Sequence, residues 1–162
     1  MKNYEGLGEV VVAYPEKDEV LRLSKPMVWD FTKYCLSVKP PNGFASAEFF
    51  TPDILQPWMD YVMIVDYISD VDEFRYRHYG PAVAKVSGFD MTGRYVSDFD
   101  SEVGRFFERL YRMCITDKVI IHSEHSRVHA VQNCDWHRVM CPVRDGGRIF
   151  VVTLNLPIPA EN

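Results

Sequence analysis

Histidine and cysteine side chains are concentrated in one short part of the chain. Four of the five histidines and two of the four cysteines lie in the stretch 122–141, and they are His122, His125, His129, Cys134, His137 and Cys141. Imidazole and thiolate groups are ligands for zinc and iron, and a thiolate beside an imidazole can act as a nucleophile. One hypothesis is therefore a small metal-dependent or thiol-dependent enzyme that uses this His/Cys cluster.

The spacing of these residues argues against a metal site. Side chains alternate between the two faces of a β-strand, so His122 and His125 would point to opposite faces, as would Cys134 and His137. No CxxC motif is present, and no HxxxH pair lies on a predicted helix. Convergence from neighbouring strands remains as an alternative, and its candidate set is His125, His129, His137 and Cys141. We predict no metal ligand.

Nucleophilic catalysis has equally weak support in the same stretch. Ser123, His125 and Asp135 have the residue types of a hydrolase triad, but no GxSxG elbow accompanies them. Cys141 and His137 share one face of a predicted strand and could form a thiol–imidazole pair. A buried cysteine beside a hydrogen-bonded histidine is the simpler interpretation. We predict no catalytic residue, and we expect a protein that is not an enzyme.

The elements that position these residues are predicted from hydrophobic periodicity. Strands are expected at 61–68, 74–79, 119–131, 134–143 and 148–156, and helices at 20–38 and 101–115. Gly146-Gly147 marks a hairpin between the last two strands. Alternation within the second strand predicts one face with Phe74, Tyr76 and His78 and an opposite face with Arg75, Arg77 and Tyr79.

Length, composition and charge exclude several classes of protein. The chain has 162 residues, 47% of them hydrophobic, which suits one domain with a buried core. A net charge of −5 argues against a nucleic-acid-binding protein, which needs a basic face. No segment approaches the roughly 18 apolar residues of a membrane span, and residues 1–19 contain no apolar run typical of a signal peptide. We therefore expect a cytoplasmic protein without membrane contact, whose four cysteines are buried free thiols.

The stretch 74–94 has the most specific local pattern, FRYRHYGPAVAKVSGFDMTGR. A strand pattern runs into Gly80, where glycine would permit the dihedral angles of an abrupt turn. A short helix follows, opened by Pro81 and ended by Gly88, the expected left-handed C-cap. The turn at 90–94 then completes the motif Gly-x-Asp-x-Thr-Gly. This order resembles the centre of PAS sensor domains, above all the bacterial branch with the signature YR…G…G.D.TG.

The resemblance covers about residues 28–157 and implies an α+β fold. In that fold a PAS-like five-stranded antiparallel sheet has helices packed on one face and an N-terminal helix before it. Residues 1–19 have no counterpart and are predicted to be an extension outside the core domain, which would span 20–162. The motif describes a scaffold and names no reaction, because a fold alone does not determine a function.

The resemblance also implies a sensory or regulatory function in signal transduction, without catalysis. The expected site is an aromatic-lined cavity between the sheet and the long helix, suited to a small aromatic or amphipathic molecule. Its candidate residues are Tyr76, His78, Tyr95, Phe99, Phe107, Tyr111, Cys114, His137, Val139 and Cys141. The alternative is that these side chains simply fill a core, which would leave a module for protein–protein contacts.

The partners that the resemblance implies are a small-molecule ligand, a signalling protein and a second copy of the chain. A homodimer would form through the apolar helix at 26–38. PAS domains that hold haem use a helix-borne histidine, and 101–115 contains none. Flavin photosensors have a cysteine in the short helical region, and 81–93 contains none. The resemblance therefore argues against haem and flavin and identifies no other cofactor.

Overall fold

The structure consists of one β-sheet with helices on both of its faces. The computed structural model describes residues 2–4, 8–17, 25–99, 102–126 and 134–159. The strands are β1 (Lys2–Tyr4), β2 (Gly8–Ala13), β3 (Ala45–Ser46), β4 (Val62–Ile68), β5 (Glu73–Tyr79), β6 (Ile121–Ser126), β7 (Cys134–Asp145) and β8 (Arg148–Pro159). The helices are α1 (Pro26–Val38), α2 (Pro52–Leu55), α3 (Pro81–Ser87) and α4 (Glu102–Asp117).

Seven strands are antiparallel neighbours in the order β1-β2-β6-β7-β8-β4-β5, and the two-residue β3 pairs in parallel with β7. The hairpin between β7 and β8 turns at Gly146 and Gly147, as the sequence predicts. The α+β class is confirmed. The expected number of five strands is wrong, because β1 and β2 extend the sheet beyond β6 and β3 adds to β7.

The described part of the N-terminal segment belongs to the sheet. Val10 lies opposite His125 in the β2–β6 pairing. Glu16 accepts hydrogen bonds from the backbone N–H of Ile120 at 2.7 Å and from the fully buried Nζ of Lys39 at 2.8 Å. The predicted extension outside the domain is therefore wrong for residues 8–17. Pairing with β2 satisfies the backbone groups that β6 would otherwise expose at a sheet edge.

Two separate hydrophobic cores lie on the two faces of the sheet. The face covered by α3 and α4, here called the α4 face, buries Met63, Val65, Phe106, Leu110, Trp136 and Met140. The opposite face, the α1 face, is covered by α1 and buries Val28, Phe31, Val139, Cys141, Val152 and Leu154. The prediction that the helices pack on one face is wrong. The central strands are apolar on both faces, so each face needs a cover.

The connection from β5 to α4 contains the motif that the sequence singles out. Gly88 has a φ of +87° and its N–H bonds to the carbonyl oxygen of Ala84, which confirms the predicted left-handed C-cap. Gly80, in contrast, has an ordinary φ of −53°. A Cβ on Gly80 would lie 2.8 Å from the backbone carbonyl carbon of Asp60 and closer still to its oxygen. The reason for glycine here is close packing of the backbone, and the predicted reason, special dihedral angles, is wrong.

A β-bulge changes the faces of β5. Tyr76 lies opposite Val65 and His78 lies opposite Ile64, so Arg77 is an extra residue between them. Tyr79 consequently lies on the α4 face with Tyr76. His78 lies on the α1 side, where its Nε2 is 3.2 Å from the backbone carbonyl oxygen of Met59, in the 3-10 turn Gln56–Tyr61. The predicted faces of His78 and Tyr79 are therefore wrong, because simple alternation assumes an unbroken strand.

The boundaries of the other elements agree with the prediction where they are described. The helix at 101–115 is confirmed as α4, and its predicted cap Ser101 lies outside the described residues. The helix at 20–38 is confirmed from Pro26 onwards, and residues 20–24 also lie outside them. The strand at 119–131 is described as β6 only to Ser126.

Candidate functional site

The middle of the sheet places polar side chains on the α4 face. Trp136, Arg138 and Met140 of β7 point to α4, whereas Val139 and Cys141 point to α1. This alternation is dictated by the pleat of the strand. It brings an arginine into the core between the sheet and the longest helix.

Arg138 is the centre of a group that crosses three strands. It lies opposite Ser123 of β6 and Asn155 of β8, and Thr153 of β8 lies opposite Met140. Directly opposite residues in antiparallel strands share a face and have neighbouring Cβ atoms. We call Ser123, Arg138, Thr153 and Asn155 the polar row. All four residues are buried.

The guanidinium group of Arg138 is held from the helix side. Its exposed fraction is 0%. Nη2 donates a hydrogen bond to the hydroxyl oxygen of Tyr111 at 2.6 Å. The ring of Phe107 lies over the guanidinium, with 4.2 Å from Cζ to the ring centroid. Two residues of α4 therefore fix the cation against the sheet.

Several atoms of the polar row have no hydrogen-bond partner within the part of the chain that the structure describes. They are Nε and Nη1 of Arg138, Oγ of Ser123, Oγ1 of Thr153 and Oδ1 of Asn155. No described aspartate or glutamate forms an ion pair with Arg138 either. A buried charge without a compensating group is costly, and such exceptions point to a functional constraint.

Aromatic side chains surround the polar row on the α4 face. Burial raises the pKa of Tyr76 well above its ordinary value, with a contribution from the nearby Tyr111, while the Arg138 cation acts in the opposite direction. Burial raises the pKa of Tyr79 to about 12. Both phenols therefore stay protonated at neutral pH. The rings of Phe106 and Phe107 also lie beside the imidazole of the buried His125.

Comparisons of this chain with protein-family models, with curated proteins and with solved structures gave no match. Within the described residues, no helix has the length and apolar character needed to cross a membrane.

The structure brings together part of the predicted cavity set. Tyr76, Tyr111 and Cys114 are buried on the α4 face, and Phe99 and Phe107 pack against the same core. Tyr95 lies in the loop before α4, where it forms a single β-bridge with Arg75. Apart from Tyr95, these residues therefore lie between the sheet and the long helix, where the sequence predicted them, and they form part of the hydrophobic core there.

Four predicted site residues lie on the wrong face. His137, Val139 and Cys141 point to the α1 side, and so does His78. The prediction fails for β7 because both faces of that strand are apolar, so alternation alone does not tell which set faces α4. The residues that do face it are Trp136, Arg138 and Met140.

Sequence reasoning missed Arg138, the most informative residue of the site. A signal was present in the sequence. Arg138 lies between Trp136 and Met140 in a strand that is apolar on both faces, and an arginine in such a strand must be buried. An arginine in the middle of a central strand is therefore the pattern that would have identified a core cation.

The His/Cys stretch divides between the two faces of the sheet. His125 and Cys134 lie on the α4 face, whereas His137 and Cys141 lie on the α1 face. His129 is outside the described residues. The converging metal set of His125, His129, His137 and Cys141 is therefore split, and the described residues contain no cluster suited to a metal ion.

His137 and Cys141 are also too far apart for a thiol–imidazole pair. They are four residues apart in β7, which corresponds to about 13 Å at about 3.3 Å per residue. All four cysteines are buried thiols outside any disulfide bond, as predicted. Burial raises the pKa of Cys35 and of Cys114 well above the ordinary value, so neither is a ready thiolate.

A smaller polar group lies on the α1 side of β6 and β7. Oε1 of Glu124 is 3.1 Å from Nε2 of His122 and 3.5 Å from Nδ1 of His137. The hydrogen bond with His122 lowers the pKa of Glu124. Burial lowers the pKa of His137 although Glu124 acts in the opposite direction. This group links two strands and is separate from the polar row.

Proposed function

We propose that the chain is a cytoplasmic, non-catalytic PAS-like sensory or regulatory domain that binds a small molecule between α4 and the sheet. One observation carries the proposal. The fully buried Arg138 has two guanidinium nitrogens without an acceptor in the described residues, and one side-chain oxygen in each of the other three residues of the row also lacks a partner there. A bound molecule that supplies these partners would offset the cost of burying them.

The PAS-like part of the proposal is supported by the arrangement of five strands. β5-β4-β8-β7-β6 form a continuous antiparallel block, and α3 and α4 follow β5 and cover one face of it. The glycine-rich motif after β5 forms the expected turn, with Asp90 accepting hydrogen bonds from the backbone N–H and the hydroxyl of Thr92. The strands β1 and β2 would be an addition at the β6 edge.

The non-catalytic part is supported by the chemistry of the polar row. An arginine remains protonated in proteins, so it binds and orients but does not exchange a proton. The adjacent phenols of Tyr76 and Tyr79 have raised pKa values and act as neutral groups. Four buried cysteine thiols outside any disulfide bond agree with a reducing compartment.

Signal output would pass through α4 and through protein contacts. α4 provides both Tyr111 and Phe107 to the arginine, so a ligand that replaces either contact would shift the helix. The homodimer part of the proposal concerns α1, whose inner residues are buried and whose outer side exposes Trp29 and Leu36. A signalling partner could use the same surface.

Native mass spectrometry of the freshly purified full chain tests the binding function. We expect an additional mass of a small molecule that disappears when the protein is denatured and that is recovered in the released fraction. A complementary measurement is the unfolding temperature in a screen of small metabolites. A clean protein mass together with no shift of the unfolding temperature by any compound would refute ligand binding.

A further inference from the structure

We infer that the ligand of the polar row is an organic monocarboxylate with an apolar or aromatic body. The inference rests on the proposed binding function and gives the chemical class of its ligand.

The guanidinium group of Arg138 favours an anionic ligand. Arg138 is fully buried and permanently protonated, and its Nε and Nη1 together hold three N–H groups that have no acceptor among the described residues. A carboxylate has two coplanar oxygens that match the planar fork of a guanidinium. Ser123 and Thr153 add two hydroxyl groups that can donate to the same oxygens.

The single positive charge of the site favours a ligand with a single negative charge. Among the described residues, the buried lysine and arginine side chains are Lys39 and Arg138. Lys39 is already paired with Glu16 at 2.8 Å, at the C-terminal end of α1. One unpaired guanidinium neutralises one carboxylate, whereas a phosphate dianion would keep an uncompensated buried charge.

The side chains around Arg138 indicate the chemical character of the rest of the ligand. The buried side chains that share its core include Tyr76, Phe106, Tyr111 and Trp136. Aromatic rings bury apolar surface and stack on other rings. A benzoate, a phenylacetate or a medium-chain fatty acid therefore fits the chemistry better than a small polar dicarboxylate.

Phe107 covers one face of the guanidinium and is the more exposed of the two side chains. Its ring lies 4.2 Å from Cζ of Arg138 and is only half-buried, whereas the arginine has no exposed surface. A ring over the flat face leaves the N–H groups at the edge of the guanidinium, where a carboxylate binds in the plane. Rotation of Phe107 is then the step that admits the ligand.

Matched acid and amide pairs test the inference on the full chain. Benzoate, phenylacetate and octanoate are titrated by calorimetry beside benzamide, phenylacetamide and octanamide, which have nearly the same shape without the charge. We expect at least one acid to bind about 10- to 100-fold more tightly than its amide, the range expected for hydrogen bonds to a charged group. A small molecule recovered from the native protein should contain a carboxylate.

Two substitutions distinguish a direct contact between the ligand and Arg138 from a general effect of positive charge. Arg138→Gln should weaken binding of that acid by about 10- to 100-fold, and Arg94→Gln, which removes an exposed positive charge, should leave it within about twofold. Phe107→Ala should raise the association rate. If Arg138→Gln fails to fold, the acid and amide pairs on the unaltered chain decide the result.

Two results would overturn the inference in different ways. Equal affinity for acid and amide, or a released molecule without a carboxylate, would refute the anionic ligand and leave the proposed binding function standing. No binding of any probe together with a clean native mass would refute both.

Discussion

The hydroxyl group of Tyr111 in α4 accepts a hydrogen bond from Nη2 of Arg138 in the middle strand of the sheet, at 2.6 Å. Both residues are fully buried. The bond is the direct polar link between the long helix and a cation in the sheet core. We therefore expect a substitution at either end to affect the packing of α4 on the sheet.

Replacing Tyr111 with phenylalanine should destabilise the protein by about 1–3 kcal/mol. The substitution keeps the ring but leaves another N–H of a buried guanidinium without an acceptor. Urea unfolding monitored by tryptophan fluorescence gives the free energy of unfolding. Tyr67→Phe is the matched control, because its bond to Asp72 is at the surface and its loss should cost less than the loss of the buried bond. Equal losses in the two variants would contradict a central role for the Arg138–Tyr111 bond.

Stability should fall as the pH falls below the ordinary histidine pKa of 6.5 because of His137. Burial lowers the pKa of His137 in the folded state, so the unfolded chain takes up a proton at a higher pH than the folded chain. The other groups that act on this imidazole are Glu124, His122, Asp135 and Lys25. Glu124, whose pKa is also lowered, continues the loss of stability below its ordinary value of 4.5.

The pH effect is measured as the free energy of unfolding between pH 8 and pH 5. His137→Gln should flatten the part of the curve near and below pH 6.5, because the variant no longer has that titrating group. His78→Gln, on the same side of the sheet but outside the group around Glu124, is the control. An unchanged slope in His137→Gln would show that another group causes the dependence.

Gly80→Ala should destabilise the protein by about 1–3 kcal/mol, the usual range for overpacking. The added Cβ would meet the backbone of Asp60, which is not a flexible side-chain end, so the strand and the 3-10 turn before it must shift. Gly147→Ala in the β7–β8 turn is the control, since an added methyl group would have nothing within 4 Å and the φ of Gly147 is not in the left-handed region. Thermal unfolding of both variants distinguishes them. A neutral Gly80→Ala would refute the close-packing explanation.

The double substitution Trp29→Glu, Leu36→Glu should convert the proposed homodimer to monomers without loss of stability. Trp29 is 38% and Leu36 is 37% exposed on the outer side of α1, so they are available to a second copy. Light scattering coupled to size-exclusion chromatography measures the mass. Removal of the whole helix is a poorer test because Val28 and Phe31 cover the sheet. A mass that stays dimeric would place the interface elsewhere.

Much of the fold was accessible from local pattern. The periodicity of α4, the apolar run of β4 and the glycines at 146–147 predicted elements that the structure contains, because each signal depends on residues close together in sequence. The place of β2 in the sheet was missed because its partner β6 lies more than a hundred residues away in the chain. Pairing over that distance leaves no local trace.

Local sequence patterns were sufficient to predict the α+β class, the main helices and strands, and the aromatic character of the core. Tertiary packing determines which face of β7 meets α4, since Trp136 and Val139 are equally suited to a core. It also decided the bulge at Arg77, which exchanges the faces of His78 and Tyr79. The candidate site depends on both decisions. The burial of Arg138 became evident only when the pleat of the strand placed it beside Tyr111, where the described residues supply one acceptor and leave its Nε and Nη1 atoms without a hydrogen-bond partner.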